Sequence, residues 1–189
     1  MEVKIFFNTH KKQGKETGQS ALDTIVKKAF IRSQYFDDVN FNPPEGFFDD
    51  KYIRGYLTNY VDLHIIFVFK GKSWNTQKKG EFLLEAFNII DPSRTLFNNH
   101  LQMSNDINIV LALRDDKDFK QGQEDSTTFV GTLYKKLRPD DPDPILAKAR
   151  DLAPKLQEQN EFLSIGGGDH LPVAVYMLTF YEYVKNNWH

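Results

Sequence analysis

Cysteine is absent from this chain of 189 residues. Disulfide scaffolds, thiolate metal sites and cysteine nucleophiles are therefore excluded. Long apolar runs are absent too: the most apolar segment, 171–184, is about 14 residues long and includes Glu182, whereas a membrane helix needs roughly 18 apolar residues. Residues 1–7 alternate charged and apolar side chains where a secretory signal would begin. We therefore expect a cytoplasmic protein without a membrane span.

A surplus of either charge is also missing. The 24 Lys and Arg residues nearly balance the 26 Asp and Glu residues, which argues against general nucleic-acid binding because phosphate backbones attract an excess of cations. The balance is uneven along the chain, since residues 37–50 contain Asp and Glu but neither Lys nor Arg. Apolar residues make up 40% of the chain, which is enough for a hydrophobic core at this length.

Segments rich in β-branched, aromatic and aliphatic residues predict strands. These segments are Glu2–Phe7, Tyr60–Phe69, Ile107–Leu113 and Glu161–Ile165. Amphipathic helices are predicted between them, and Asp143 followed by Pro144 marks one helix start. The alternation predicts a three-layer Rossmann-like α/β fold with a mostly parallel sheet of about four to five strands. We expect a single domain over 1–189 with an irregular, acidic and aromatic insertion at 37–60.

The strongest ligand-binding pattern is a glycine run before the last predicted helix. Gly166, Gly167 and Gly168 would let backbone N–H groups approach an anion at a helix N-terminus. Asp169 and His170 are the predicted catalytic residues, with Asp169 on a ribose hydroxyl or acting as a base and His170 as an acid or phosphate contact. Alternatively, the glycine run is only a turn, and Asp169 caps the helix.

The same run loosely resembles the glycine-rich ligand loops of several Rossmann-like nucleotide-binding families. The resemblance covers about nine residues and selects no single family, because the run is neither G-x-G-x-x-G nor a phosphate loop. It implies a nucleotide-like ligand.

A second glycine-containing segment, Asn8–Gln19, is predicted to be a loop between the first strand and a helix. Its cations suit an anionic ligand. The predicted binding residues are His10, Lys11, Lys12, Gly14 and Lys15. In a parallel sheet both glycine-containing loops would lie at one edge. The alternative is a solvated surface loop, which is also how we interpret the basic segment around Trp74 and Lys78.

An acidic and aromatic segment, Phe36–Tyr60, is typical of a protein-binding surface. Its predicted contact residues are Phe47, Phe48 and Tyr52. Alternatively, these aromatic side chains form a small separate hydrophobic core under a long loop.

Three functional hypotheses follow. The first is binding of a phosphorylated or nucleotide-like small molecule at the two glycine-containing loops, with hydrolysis or transfer left open. The second is a non-enzymatic protein-binding function of the inhibitor or immunity type. The third is a metal-dependent nuclease that uses Asp62 and His64, which would share one face of a strand. No cofactor, metal site or oligomeric state is predicted.

Overall fold

The computed structural model describes residues 9–35, 41–70, 74–92, 113, 115–137, 141–158 and 169–189. Every regular element within these ranges is a helix. The α-helices are α1 (Thr9–Ala21), α2 (Lys27–Ala29), α3 (Lys51–Phe67), α4 (Thr76–Ile90), α5 (Lys117–Leu133), α6 (Pro144–Leu152), α7 (His170–Tyr176) and α8 (Glu182–Trp188). The predicted Rossmann-like α/β fold with a parallel sheet is therefore wrong.

Two other helix types join these elements. π-Helical segments lie between α1 and α2 (Leu22–Val26) and between α7 and α8 (Met177–Tyr181). Short 3₁₀ helices cover Phe47–Asp49 and Ala153–Glu158. The last helical stretch therefore runs from α7 to α8 without a break.

The clearest error concerns the predicted strand Tyr60–Phe69. Most of it belongs to α3, which buries Tyr60, Val61 and Ile65 in the core. A continuous apolar run suits a buried helix as well as a buried strand, so its periodicity does not separate the two. The predicted strands Glu2–Phe7 and Glu161–Ile165, and all but the last residue of Ile107–Leu113, lie outside the described residues.

Short polar side chains begin five of the α-helices by accepting hydrogen bonds from backbone N–H groups of the first turn. These N-cap residues are Asp50, Asn75, Asp116, Asp143 and Asp169. The predicted start at Asp143 and Pro144 is confirmed, because Asp143 Oδ1 accepts from the N–H groups of Ile145 and Leu146. The local signal at Asp143 therefore marks a helix start correctly even though the predicted fold class is wrong.

Helices α1 and α4 form a close parallel pair. Gly14 lies against the carbonyl oxygen of Phe82, and one turn later Gly18 lies against the backbone of Ala86. The contacts follow the same order along both helices, so α1 and α4 run in the same direction and their N-termini lie at the same end. Glycine is required at these positions because a Cβ atom would collide with the backbone of α4.

Helices α3 and α5 also pack closely through glycine, and they run in the same direction because Lys51 pairs with Asp116 at their starts and Asn59 donates to Thr127 further along both. Gly55 lies against the carbonyl oxygen of Phe119, and Gly122 lies against that of Tyr52. An ion pair joins Lys51 and Asp116 at the start of the two helices, with Nζ and Oδ2 2.6 Å apart. The two pairs pack with α7 and α8 around a core rich in aromatic side chains. Its largest buried members include Tyr56, Tyr60, Tyr176, Phe30, Phe82, Phe129 and Phe180.

A buried hydrogen bond connects the two π-helical stretches of the chain. The Tyr176 hydroxyl donates to the carbonyl oxygen of Ile25 over 2.8 Å, and both residues are buried. Ile25 lies in the first π-helical segment, and Tyr176 directly precedes the second. The bond gives a buried backbone acceptor a partner 151 positions away in the chain.

Removing this hydroxyl is expected to destabilise the protein. We expect Tyr176→Phe to lower the free energy of unfolding by about 1.5 kcal/mol, because the buried carbonyl of Ile25 loses its donor. Urea denaturation followed by circular dichroism measures the change. Tyr35→Phe is the control, since the Tyr35 hydroxyl makes no hydrogen bond to the described residues. Equal stability of the two variants would show that the Tyr176 hydroxyl does not stabilise the fold through this hydrogen bond.

Candidate functional site

A polar cavity lies at the N-terminal end of the α1–α4 pair. Its volume is about 670 Å³, within the range of roughly 300–1,000 Å³ that is usual for small-molecule sites. Its lining combines hydrogen-bonding groups, both charges and two aromatic rings. The lining residues are Thr9, His10, Gln13, Phe69, Trp74, Asn75, Gln77, Lys78 and Glu81.

The start of α4 contributes to the electrostatic character of this cavity. Asn75 is the N-cap of α4 and lines the cavity, as does Thr9, from which α1 is described. The N-terminus of α4 carries about half a positive charge from its free N–H groups.

A histidine from α1 and a carboxylate from α4 form a pair in the cavity wall. His10 Nε2 lies 2.7 Å from Glu81 Oε2, and Lys11 Nζ lies 3.6 Å from the same oxygen. The side-chain amide of Gln77 donates to Glu81 Oε1 over 2.9 Å. The hydrogen bonds from His10 and Gln77 lower the pKa of Glu81 to about 2. Glu81 is therefore ionised at neutral pH, and the groups around it offset its negative charge.

An aromatic side chain and a lysine offer places for a ligand. The Trp74 ring packs edge-on against the His10 imidazole, with 6.1 Å between ring centroids. Lys78 is exposed and makes no ion pair within the described part of the chain. The cavity therefore presents an aromatic ring and a cation.

The structure corrects the predicted basic loop, because Thr9–Ala21 is helical. Among its predicted binding residues, His10 lines the cavity and Lys11 lies beside Glu81. Lys12 instead pairs with Glu16 on the same helix, and Lys15 pairs with Glu85 of α4, each over 3.6 Å. Gly14 is covered by the backbone of α4. It serves helix packing here rather than offering its N–H group to an anion.

The predicted catalytic residues lie elsewhere. Asp169 is the N-cap of α7 and accepts a hydrogen bond from the N–H of Leu171 over 3.1 Å. Asp169 and His170 line a separate depression of about 320 Å³ together with Arg150. This depression shares no lining residue with the α1–α4 cavity. Gly166, Gly167 and Gly168 lie outside the described residues, which contain no sheet whose edge the two predicted loops could share.

The predicted aromatic contact surface is buried. Phe47 is 0% exposed, Phe48 7% and Tyr52 3%. The Tyr52 hydroxyl donates to Asp125 Oδ2 over 2.8 Å, and its ring stacks on Tyr183. The prediction that these three side chains face a partner is therefore wrong for this structure. They form part of the core, which agrees with the alternative interpretation that these aromatic side chains are buried under a loop.

The nuclease hypothesis loses its geometric basis. Asp62 and His64 lie on helix α3, where residues two apart point in different directions. Asp62 is exposed, whereas His64 is buried and hydrogen-bonded to Tyr60 and Tyr134. Among the described residues, no three His, Asp or Glu side chains are grouped closely enough to hold a metal ion.

Trp74, Lys78 and Glu81 are site residues that sequence reasoning missed. Trp74 and Lys78 stand out in the sequence as a basic and aromatic segment but were interpreted as a solvated loop. Asn75 followed by Lys78 and Glu81 at helical spacing is the local signal for the start of α4. The approach of α4 to α1, which turns these side chains into a site, has no local signal.

Comparison of the chain with protein-family models, with curated proteins and with solved structures finds no match. Within the described ranges, no helix has the length and apolar character needed to cross a membrane.

Proposed function

We propose that the α1–α4 cavity binds a phosphorylated small molecule that carries a flat ring, such as a nucleotide. The observation that carries the proposal is the start of α4 at Asn75, which lies at a cavity that Lys78 and Trp74 also line. Helix N-termini and lysine are standard partners of phosphate.

The charge balance of the cavity favours an anion. Glu81 is the one acidic residue among the described residues that line the cavity. Lys11 forms an ion pair with it, and His10 is hydrogen-bonded to it. Lys78 and the positive end of α4 then remain for the ligand. A cationic ligand would have to displace His10 or Lys11 from Glu81, whereas an anion leaves these pairs intact.

The remaining lining groups suit a heteroaromatic ring. Trp74 and Phe69 supply apolar ring surfaces, and stacking of a base on an aromatic side chain contributes about 1–3 kcal/mol in nucleic-acid complexes. The proposal is for binding, because the predicted catalytic residues Asp169 and His170 do not line this cavity.

Charge reversal at Lys78 tests the phosphate contact. The probes are inorganic phosphate and a panel of nucleoside mono-, di- and triphosphates, dinucleotides and cyclic nucleotides, first screened for an increase in Tm. For a binding nucleotide we expect Lys78→Glu to raise Kd about tenfold or more, because one charge-assisted hydrogen bond is lost. Isothermal titration calorimetry measures this change.

The matched control is Lys12→Glu. Lys12 is a predicted binding residue on α1 that does not line the cavity, so its reversal should leave Kd unchanged. Trp74→Ala should weaken nucleotides but not inorganic phosphate. The proposal fails if no member of the panel binds, or if Lys12→Glu weakens binding as much as Lys78→Glu does.

A further inference from the structure

A second cavity lies at the opposite end of α4, between its last residues and the segment 41–49. We call it the acidic groove. Its volume is about 540 Å³. It is lined by Leu22, the nine residues 41–49, Ile90, Asp91 and Pro92, none of which lines the proposed ligand cavity.

The apolar part of the groove is held in place by aromatic packing. Phe41 and Phe47 contact the buried Phe30 ring, with centroid distances of 5.5 and 5.2 Å. Phe47 also packs edge-on against Trp188. Gly46, at a φ of +80°, turns the segment so that the N–H of Phe47 donates to the carbonyl oxygen of Pro44. The groove is therefore formed without a ligand.

Within the described part of the chain, the charged residues that line the groove are all acidic. They are Glu45, Asp49 and Asp91. Glu45 is exposed and makes no ion pair to the described residues. Asp49 is paired with Arg54, yet 57% of its side chain remains exposed. The groove thus combines an apolar floor with an accessible negative edge.

We propose that the acidic groove docks a segment of another protein that places an apolar side chain on the floor and a Lys or Arg beside Glu45. Charge complementarity favours a partner of this kind, because a partner without cations would leave Glu45 desolvated and unpaired. Apolar anchors within a charged edge are the usual anatomy of a protein-binding hot spot. This inference is independent of the proposed ligand site.

A random-peptide library displayed on phage tests the inference with the intact chain as bait. We expect enriched peptides to contain Lys or Arg next to Leu, Ile or Phe. For a synthetic copy of an enriched peptide, Glu45→Lys should raise Kd about tenfold or more, and added salt should weaken binding to the wild type. Glu45 is exposed, so this change avoids the folding defect expected from replacing Phe47.

Glu16→Lys is the matched control, since Glu16 is exposed on α1 and lies outside the groove. It should leave the Kd of the peptide unchanged. The inference is overturned if no peptide or only acidic peptides are enriched, or if Glu16→Lys weakens binding equally. It is also overturned if light scattering shows a dimer that Glu45→Lys dissociates, because the occupant is then a second copy. Nucleotides that bind the α1–α4 cavity should not compete with the peptide.

Discussion

Replacing Gly18 with alanine is expected to lower the free energy of unfolding by about 3 kcal/mol, the upper part of the range for overpacked cores. The added Cβ atom would collide with the carbonyl oxygen of Ala86 and lie 2.9 Å from its Cα atom. Both are backbone atoms in the middle of α4, so no side chain can rotate to make room. Relief of the collision requires the two helices to move apart along their whole contact.

Whether Gly18→Ala lowers or raises the free energy of unfolding shows which factor dominates at this position, close packing against α4 or helix propensity. Alanine is favoured over glycine inside a helix by about 1 kcal/mol, so a Gly18 that did not touch α4 would give a stabilised variant. Urea denaturation of Gly18→Ala distinguishes the two outcomes. Gly55→Ala in the α3–α5 pair should be destabilised similarly, because its Cβ would meet the backbone of Phe119.

Lys12→Ala is the control on the same helix as Gly18. Lys12 is exposed, with 80% of its side chain accessible, and its replacement should change stability by no more than about 0.5 kcal/mol. A Gly18→Ala variant as stable as Lys12→Ala would show that α1 and α4 do not pack as closely as described.

The same glycines explain why the sequence was misleading about α1. Gly14 and Gly18 lower helix propensity, and the lysines between and before them make the segment polar, so local reasoning predicts a loop. Contact with α4, more than sixty positions along the chain, overrides that preference. The spacing of Gly14 and Gly18, one helical turn apart, was the available signal for close helix packing.

Other features of the structure also depend either on neighbouring residues, which makes them predictable from the sequence, or on distant residues, which does not. The helix start at Asp143 was predictable because a cap depends on residues within one turn. The helical state of Tyr60–Phe67 was not predictable, because β-branched and aromatic residues favour a strand until tertiary contacts decide otherwise. His10 was recognised as a candidate site residue, but its partner Glu81 lies 71 positions away. Only the fold brings these two residues together.

Acidification from pH 6.5 to pH 4 is expected to destabilise the protein by about 3 kcal/mol through His64 alone. The side chain is buried, and its Nδ1 and Nε2 atoms each lie 2.8 Å from a partner. The Tyr60 carbonyl can only accept, so Nδ1 carries the hydrogen and Nε2 accepts from the Tyr134 hydroxyl. Both ring nitrogens of neutral histidine are therefore satisfied.

Burial lowers the pKa of His64 from 6.5 to about 4. Between these two values the unfolded chain binds a proton at this residue and the folded chain does not. Stability is therefore complete above pH 6.5 and falls as the pH drops to 4, where the folded state also becomes protonated. Each pKa unit corresponds to 1.36 kcal/mol, which gives about 3 kcal/mol over this interval.

The comparison of wild type with His64→Gln isolates this contribution, because the acidic residues that also titrate over the interval are common to both proteins. The variant should be less stable at pH 7 because buried packing and hydrogen bonds are lost. Its stability should fall less than that of the wild type on acidification, so that the difference between the two curves shrinks by about 3 kcal/mol. His189→Gln keeps His64 and should follow the wild-type slope. Parallel curves for wild type and His64→Gln would mean that His64 takes up its proton equally well in the folded and unfolded states. That result is incompatible with a neutral imidazole enclosed between Tyr60 and Tyr134.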